Sequence, residues 1–373
     1  MKNNIIFYSL FLISTSLFSQ TYHFKTVVDL ETTDVISQGR TGTCWSFSTS
    51  SFIESEIIRL TGKQIDISEM YTVRQTYPKK AWNYIMRQGK AQFSEGGLAH
   101  DVINSIADHG LVPQSAFSGL YEGDDTHNHA EMVAVLKGVL DVYIDNPARK
   151  LSPKWKTVTE SVLDTYLGKK TSTFNYDGVQ YTPESFLKMT KINPDDYVSI
   201  TSFTHQPFYS KFILNIPDNF SNGSFYNVSL DEMVTTVNTA LENGFTVELD
   251  CDVSENTFSA KHGIAVIPEN DETAAEAIIS VRPEKTITPQ YRQQEFENYQ
   301  TTDDHLMHIT GMLKDQNGTT YYKVKNSWGT DESRVANGGY VYMSEAYLRL
   351  KTISVMVHKD ALSKVLKKNL SIK

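Results

Sequence analysis

The chain has only two cysteines in 373 residues, Cys44 and Cys251, so at most one disulfide could form and no disulfide framework can hold the fold. Beyond the N-terminus no apolar run is long enough to span a bilayer. An excess of basic residues is also missing. Lys and Arg number 35 against 44 Asp and Glu, a net charge of -9, and the pI is near 5.6. That balance excludes nucleic acid and anionic membranes as partners. Internal repeats are absent too. What remains is 40% hydrophobic and 21% charged, a globular composition, in a length suited to one large domain or two ordinary ones.

The first residues have the pattern of a secretory signal: Lys2, an apolar stretch over 5–18, the small residue Ser19, and Gln20 opening the mature chain. The stretch is too short for a membrane anchor, and export to a periplasm or the exterior is expected. In such a compartment two cysteines first suggest a disulfide. Residues 245–253 argue otherwise. Phe245, Val247, Leu249, Cys251 and Val253 alternate with Glu248, Asp250 and Asp252, so Cys251 is expected to pack in a strand as a small apolar residue.

Cys44 has different surroundings. Residues 38–45 read QGRTGTCW, and from Cys44 onward Phe47, Phe52, Ile53, Ile57, Ile58 and Leu60 can line one side of a helix that Gly62 ends. Cys44 is thus expected at a helix N-terminus, where orphan amides and the dipole favour a thiolate. Further helices are expected after Ser68-Glu69 and over 98–107, with the loop Ser94-Glu95-Gly96-Gly97 between them. Residues 20–33 read as a short polar lead. Residues 120–230 mix helical pieces (131–143 and 157–167) with a loop-forming run over 215–227, and read as an insertion that shapes a surface. A helix from Leu230 to Gly244 precedes strands over 245–253, 263–267, 305–313, 321–325 and 340–343, with a hairpin turn at Gln316-Asn317-Gly318. Residues 269–303 read as a polar surface excursion.

Far from Cys44 come Asp304-His305 and then Lys325-Asn326-Ser327-Trp328-Gly329. These supply the parts of a thiol nucleophile site. His305 could take the proton of Cys44, Asn326 could orient the ring, and Trp328 could shield that bond from water. The amide of Gln38, with the N–H of Cys44, could hold an oxyanion. Gly96 and Gly97 would let an extended peptide backbone approach closely.

These segments resemble the papain-like cysteine peptidases: QGRTGTCWSF is similar to their nucleophile segment, DHLMHITG to the histidine segment, and KNSWGT with GGYVYM to the asparagine segment. The resemblance implies Cys44 as nucleophile, His305 as base, Asn326 as orienting residue and Gln38 as oxyanion donor. It also implies an α+β fold, with a helical subdomain (34–119) carrying the cysteine and a strand-rich one (231–373) carrying His305 and Asn326. A peptide substrate is implied and no metal or organic cofactor is needed. In papain and the cathepsins the histidine and asparagine follow the cysteine by about 130–150 residues; here the interval is roughly twice that. Thr41 stands where those enzymes have a disulfide cysteine. Both features, with residues 195–199 and 249–253, resemble the bleomycin hydrolase and aminopeptidase C branch. Removal of amino-terminal residues is the first expectation, and a homo-oligomer belongs with it. That branch carries a C-terminal arm in its cleft. Residues 360–373 read as a shorter tail without the Trp-Asp-Pro stretch of the arm, which makes an open-cleft endopeptidase the second expectation. Residues 20–33 are too few for a cathepsin-like inhibitory pro-segment.

Other residues have plainer readings. A thiol acyltransferase would call for an Asp orienter, and a catalytically dead binding protein for a lost Cys, His or Asn; neither is present. His308, three residues past His305, should face the other side of its strand. His100 and His109 read as surface or capping residues. His127 and His129 beside Asp124-Asp125 could suit a divalent metal, but a solvated loop is the expected reading. Asn219, Asn222 and Asn227 begin N-x-S/T patterns of the kind common in polar loops.

Overall fold

The strand that starts at His305 organises the molecule. The computed structural model describes residues 21–120 and 123–373; the expected secretory signal lies outside them. The described strands are β1 (Lys25–Asp29), β2 (Phe174–Tyr176), β3 (Val179–Tyr181), β4 (Tyr197–Thr201), β5 (Lys211–Ile213), β6 (Ser224–Asn227), β7 (Val247–Cys251), β8 (Phe258–Ser259), β9 (Ile264–Ala265), β10 (His305–Lys314), β11 (Thr320–Lys325), β12 (Tyr340–Ser344) and β13 (Thr352–His358). The helices are α1 (Cys44–Thr61), α2 (Glu69–Met86), α3 (Ala99–His109), α4 (Ala130–Ile144), α5 (Lys154–Leu167), α6 (Pro183–Thr190), α7 (Leu230–Glu242), α8 (Ala274–Ala277), α9 (Pro289–Glu297), α10 (Glu345–Lys351) and α11 (Lys364–Asn369).

Among the described residues, eleven strands form one sheet in the order β5-β6-β4-β13-β7-β10-β11-β12-β9-β8, with β1 also on β10. β7 pairs with β10 over His305–Ile309 and β11 pairs with it from His308 onward. β1 continues along the edge β7 leaves, from Asp29 opposite Gly311 to Lys25 opposite Lys314. The polar lead is therefore an edge strand, with Tyr22 and Phe24 packed on Tyr321. Its two valines give too short an alternation to announce it. The hairpin at 316–318 is present: Asp315 Oδ1 accepts the N–H groups of Asn317 and Thr319, and Gly318 sits at φ 84.

Two large cores flank the sheet, and a small third cluster among the described residues holds Ile264, Val266, Ala277, Leu313 and Tyr321. The helical core gathers Trp45, Phe52, Ile53 and Ile57 of α1 with Val73, Val102 and Leu306. The strand core gathers Val247, Leu249, Cys251, Met307 and Ile309 with α7 and α10 residues. Period-two alternation along β10 explains the split: Leu306 turns toward the helices, Met307 and Ile309 away from them. The α+β architecture follows, with α1 wedged between the other helices and the sheet.

α1 departs from the expected one-sided helix. Residues 44–57 are buried on every side, the small polar Ser46, Ser48, Thr49, Ser50 and Ser51 included. Small hydroxyl residues let the helix approach its neighbours closely while finding partners: Ser46 donates to Glu69 O at 2.8 Å and Ser51 Oγ meets His308 Nδ1 at 3.0 Å. Gly62, at φ 70, ends it by donating to Ile58 O.

Residues 120–230 divide between the two layers. Met132, Leu136, Trp155 and Leu163 of α4 and α5 join the helical core, while β4, β5 and β6 extend the sheet. The stretch over 269–303 is not all surface, since Arg292 of α9 is buried and donates to Ser202 O, Arg349 O and Leu350 O. His127 and His129 do not lie in a solvated loop: both are buried, with rings 5.8 Å apart. Asn219 and Asn227 are buried as well, and their amides bond backbone groups.

Candidate active site

The first residue of α1, the first of β10 and the residue after β11 converge. Cys44 opens α1 behind Thr43 and is 8% exposed. Its thiol lies at the backbone N–H of Leu306, the residue after His305. β10 and β11 pair antiparallel, which brings Asn326 to His305. Asn326 Oδ1 is 2.8 Å from His305 Nε2 and accepts the N–H of Ser327 at 2.7 Å. The second bond fixes the amide orientation. An acceptor oxygen facing Nε2 requires that nitrogen to carry the proton, which leaves the lone pair on Nδ1.

Trp328 covers the imidazole, with ring centroids 4.9 Å apart and planes tilted by 31°. Gln38 reaches the same place through Ser327: Ser327 Oγ donates to Gln38 Oε1 at 2.5 Å, and Gln38 N donates to Ser327 O at 2.9 Å. Gln38 Nε2 donates to Thr41 O at 2.7 Å, so its second hydrogen is free for a ligand. Gly97 lies on Trp45, where an added Cβ would be 3.1 Å from the indole, and Trp45 Nε1 donates to Glu95 O at 3.0 Å. Residues 95–97 therefore pack against the start of α1, next to Cys44. Of the seven residues singled out in the sequence, Gln38, His305, Asn326 and Trp328 are linked directly or through Ser327, Gly97 lies on Trp45 beside Cys44, and Gly96 faces Asp218.

Burial dominates the electrostatics. It pushes the Cys44 thiol up to about 12, helped by the carboxylates of Asp303, Asp218 and Asp250 and opposed by the Leu306 N–H. It pushes His305 down to about 4, opposed by the bond to Asn326. Burial thus disfavours the charged form of both the thiol and the imidazole. Asp303 is raised to about 7, by burial first and then by Asp218. Asp250 is held well above the carboxylate range by burial first and then by Asp303 and Glu248. The acidic face of β7, read in the sequence as the polar side of an alternating strand, is thus buried behind the site.

His308 lines a cavity behind these groups together with Ser48, Ser51, Glu54, Glu69 and Lys325; neither Cys44 nor His305 borders it. Among the described residues the carboxylates near enough to share a cation are those of Glu54, Asp66 and Glu69. Glu54 is already engaged by the Thr33 hydroxyl and by Ile67 N–H, and the Lys325 ammonium acts on all three. This cluster has its own counter-ion. Both cysteines are free thiols.

With the site assembled, comparison decides the family. Residues 166–373 match the model described as Peptidase C1-like family, and residues 24–145 match that of the papain family cysteine proteases. The chain belongs to the Peptidase C1-like family. It is a cysteine peptidase of the papain-like fold, in the aminopeptidase C branch that its sequence resembles. Similar relatives include an aminopeptidase C of Listeria innocua serovar 6a, 24% identical over 91% of this chain and 83% of the relative. An aminopeptidase G of Lactobacillus delbrueckii subsp. lactis is 23% identical over 90% and 83%. The crystal structure of pepw from Lactobacillus rhamnosis hn001 superposes with a TM-score of 0.74 at 19% identity, covering 93% of this peptidase and 84% of that chain, which supports the fold.

The residue that the sequence reading missed at this peptidase's cleft is Asp218. Its carboxylate acts on the Cys44 thiol, and a Cβ on Gly96 would lie 1.8 Å from its Oδ2. No local pattern marks it, because the segment that carries it arrives from more than a hundred residues downstream.

Proposed function

We propose that this peptidase removes residues from the amino end of peptides through an acyl-enzyme on Cys44. His305 Nδ1 takes the thiol proton as sulfur attacks the carbonyl carbon, and the C=O bond opens to an oxyanion. The free Nε2–H of Gln38 and the backbone N–H of Cys44 receive that charge. The tetrahedral intermediate collapses, the C–N bond breaks, and His305 returns its proton to the leaving amine. Water, activated by the same imidazole, then releases the acid. Asn326 keeps Nδ1 aimed at sulfur, and Trp328 keeps water from the Nε2 bond. Gly96 and Gly97 offer backbone to an extended substrate.

The observation that carries this reading is the His305–Asn326 bond of 2.8 Å beside a thiol at the start of a buried helix. The amino-terminal preference is supported by relatives named as aminopeptidases over nine-tenths of the chain. The test is hydrolysis of matched fluorogenic amides with free and with acetylated amino termini under mild reduction. Cleavage of the free-amine substrates alone supports it; equal cleavage of blocked peptides marks an endopeptidase instead. We also propose that the mature enzyme is exported, as residues 1–19 suggest; fractionation of a tagged full-length chain tests this.

Asn326→Ala is expected to reduce kcat by about 10- to 100-fold, the value of one orienting hydrogen bond. The measurement is steady-state kinetics on the free-amine amide. A loss as large as that of Cys44→Ala would mean that Asn326 does more than orient the ring.

A further inference from the structure

Residues 214–223, the connection between β5 and β6, reach from the helical side to the strand side. The segment is internally braced. Asn219 Nδ2 donates to Leu214 O and Gly223 O, both at 2.9 Å, and its Oδ1 accepts Gly223 N–H at 2.7 Å. On the helical side Arg87 donates to Asn222 Oδ1 at 3.0 Å, His100 Nε2 meets Ser221 Oγ at 2.8 Å, and the Lys80 ammonium stands 5.3 Å above the Phe220 ring. On the strand side the backbone N–H of Asp218 is turned to the Asp303 carboxylate and favours its ionised form. A loop tied to this extent holds its side chains in place without needing a ligand.

Asp218 stands at the middle of this bridge. Its Oδ1 accepts from Gln92 Nε2 at 2.8 Å and Ser94 Oγ at 3.4 Å. Its Oδ2 makes no hydrogen bond among the described residues and faces Gly96, where a Cβ would meet it at 1.8 Å. Only glycine at 96 allows the carboxylate there. Burial raises the Asp218 carboxyl above its ordinary range, and Lys80, whose ammonium donates to Gly96 O, is the foremost group opposing that shift.

In the substrate pose that the aminopeptidase reading requires, a peptide with its carbonyl at Cys44 would run along Gly97 and Gly96, and its amino end would come to the Asp218 carboxylate that lies against Gly96. A longer chain would have to pass through the loop. A blocked amino end would place an uncharged group against a carboxylate, whereas an α-ammonium would make a charge-assisted bond to the free Oδ2.

We propose that Asp218 receives the α-ammonium of the substrate and that its loop closes the channel at that point, so that an internal segment sets amino-terminal specificity. This rests on the aminopeptidase reading above. The experiment compares three amides of one fluorogenic amine: a free amino acid, its N-acetyl form, and the α-hydroxy analogue in which OH replaces the ammonium. The wild type should hydrolyse the free-amine substrate far better than the other two. Its activity on that substrate should fall as pH rises through the ammonium pKa of about 8. In Asp218→Asn, kcat/KM for the free-amine substrate should drop by about 30-fold or more, mostly in KM, as expected for loss of a charged hydrogen bond. The gap between amine and hydroxyl should close, and the fall near pH 8 should vanish. Asp218→Glu should keep a preference for amine over hydroxyl. Thermal midpoint and alkylation of Cys44 establish that each variant is folded, and Asp218→Ser replaces Asp218→Asn if the latter is not. A wild type specific for free amines whose specificity survives in the neutral variant overturns the role of Asp218 and leaves the aminopeptidase reading standing. A wild type that cleaves acetylated and free substrates alike overturns both.

Discussion

Replacing Cys44 with alanine is expected to abolish peptide hydrolysis, by on the order of 10⁵-fold or more, as for removal of the nucleophile from other acyl-transfer sites. The fold should survive. Cys44 is the first residue of α1, alanine is an excellent helix former, and the sulfur contributes little to the core beside Trp45 and Phe47. The comparison with Cys251→Ala sharpens the test. Cys251 lies in the middle of the sheet, fully buried, its thiol held well above its ordinary range by burial and by the neighbouring carboxylates. It should be inert to alkylation, so iodoacetamide should label the wild type and Cys251→Ala once each and native Cys44→Ala not at all. Mass spectrometry of the native labelled proteins reads this directly. Retained hydrolysis in Cys44→Ala would remove the thiol mechanism entirely.

The candidate catalytic groups could be singled out because the chemistry proposed for them is written in short local segments. A glutamine six residues before Cys44, a histidine after Asp304 and an asparagine before Ser327-Trp328 each carry their neighbours with them. The supporting contacts are local too: Asn326 is fixed by the next residue's N–H, and Gln38 by Thr41. Strand alternation also placed Cys251 in the core and His308 on the face opposite His305's neighbours Met307 and Ile309.

What the sequence concealed is tertiary. The polar run containing Asn219 and Asn227 reads as solvated loop, yet both asparagines are buried and spend their amides on backbone groups that no strand or helix satisfies. The acidic positions of β7 read as a polar face, yet α1 and the segment around Asp303 cover them, and burial pushes the Asp250 carboxyl well above its ordinary range. β13 lies outside the strands expected above because its alternation runs directly out of the short helix α10. In each case the residues obey their local preferences, and it is the partner, distant in sequence, that decides whether a polar side chain meets water or protein.

Removal of the base is expected to have the second largest effect. His305→Ala should lower hydrolysis by on the order of 10³-fold or more and should also suppress alkylation of Cys44 at neutral pH. The sign follows from the two shifts. Burial lifts the thiol to about 12, so at pH 7 an unassisted Cys44 is thiolate in only on the order of 10⁻⁵ of molecules. Burial lowers the imidazole to about 4, so from pH 5 upward His305 is neutral and Nδ1 can take the thiol proton. Alkylation in the wild type should therefore rise as pH increases through about 4 and then level off. Without His305 the acid rise should be lost, and reactivity should instead climb with hydroxide above pH 10. Stopped-flow alkylation of both proteins between pH 4 and 11 distinguishes the cases. Equal neutral-pH rates in the two proteins would show that the helix N-terminus alone ionises Cys44, and the proton-transfer role of His305 would fall.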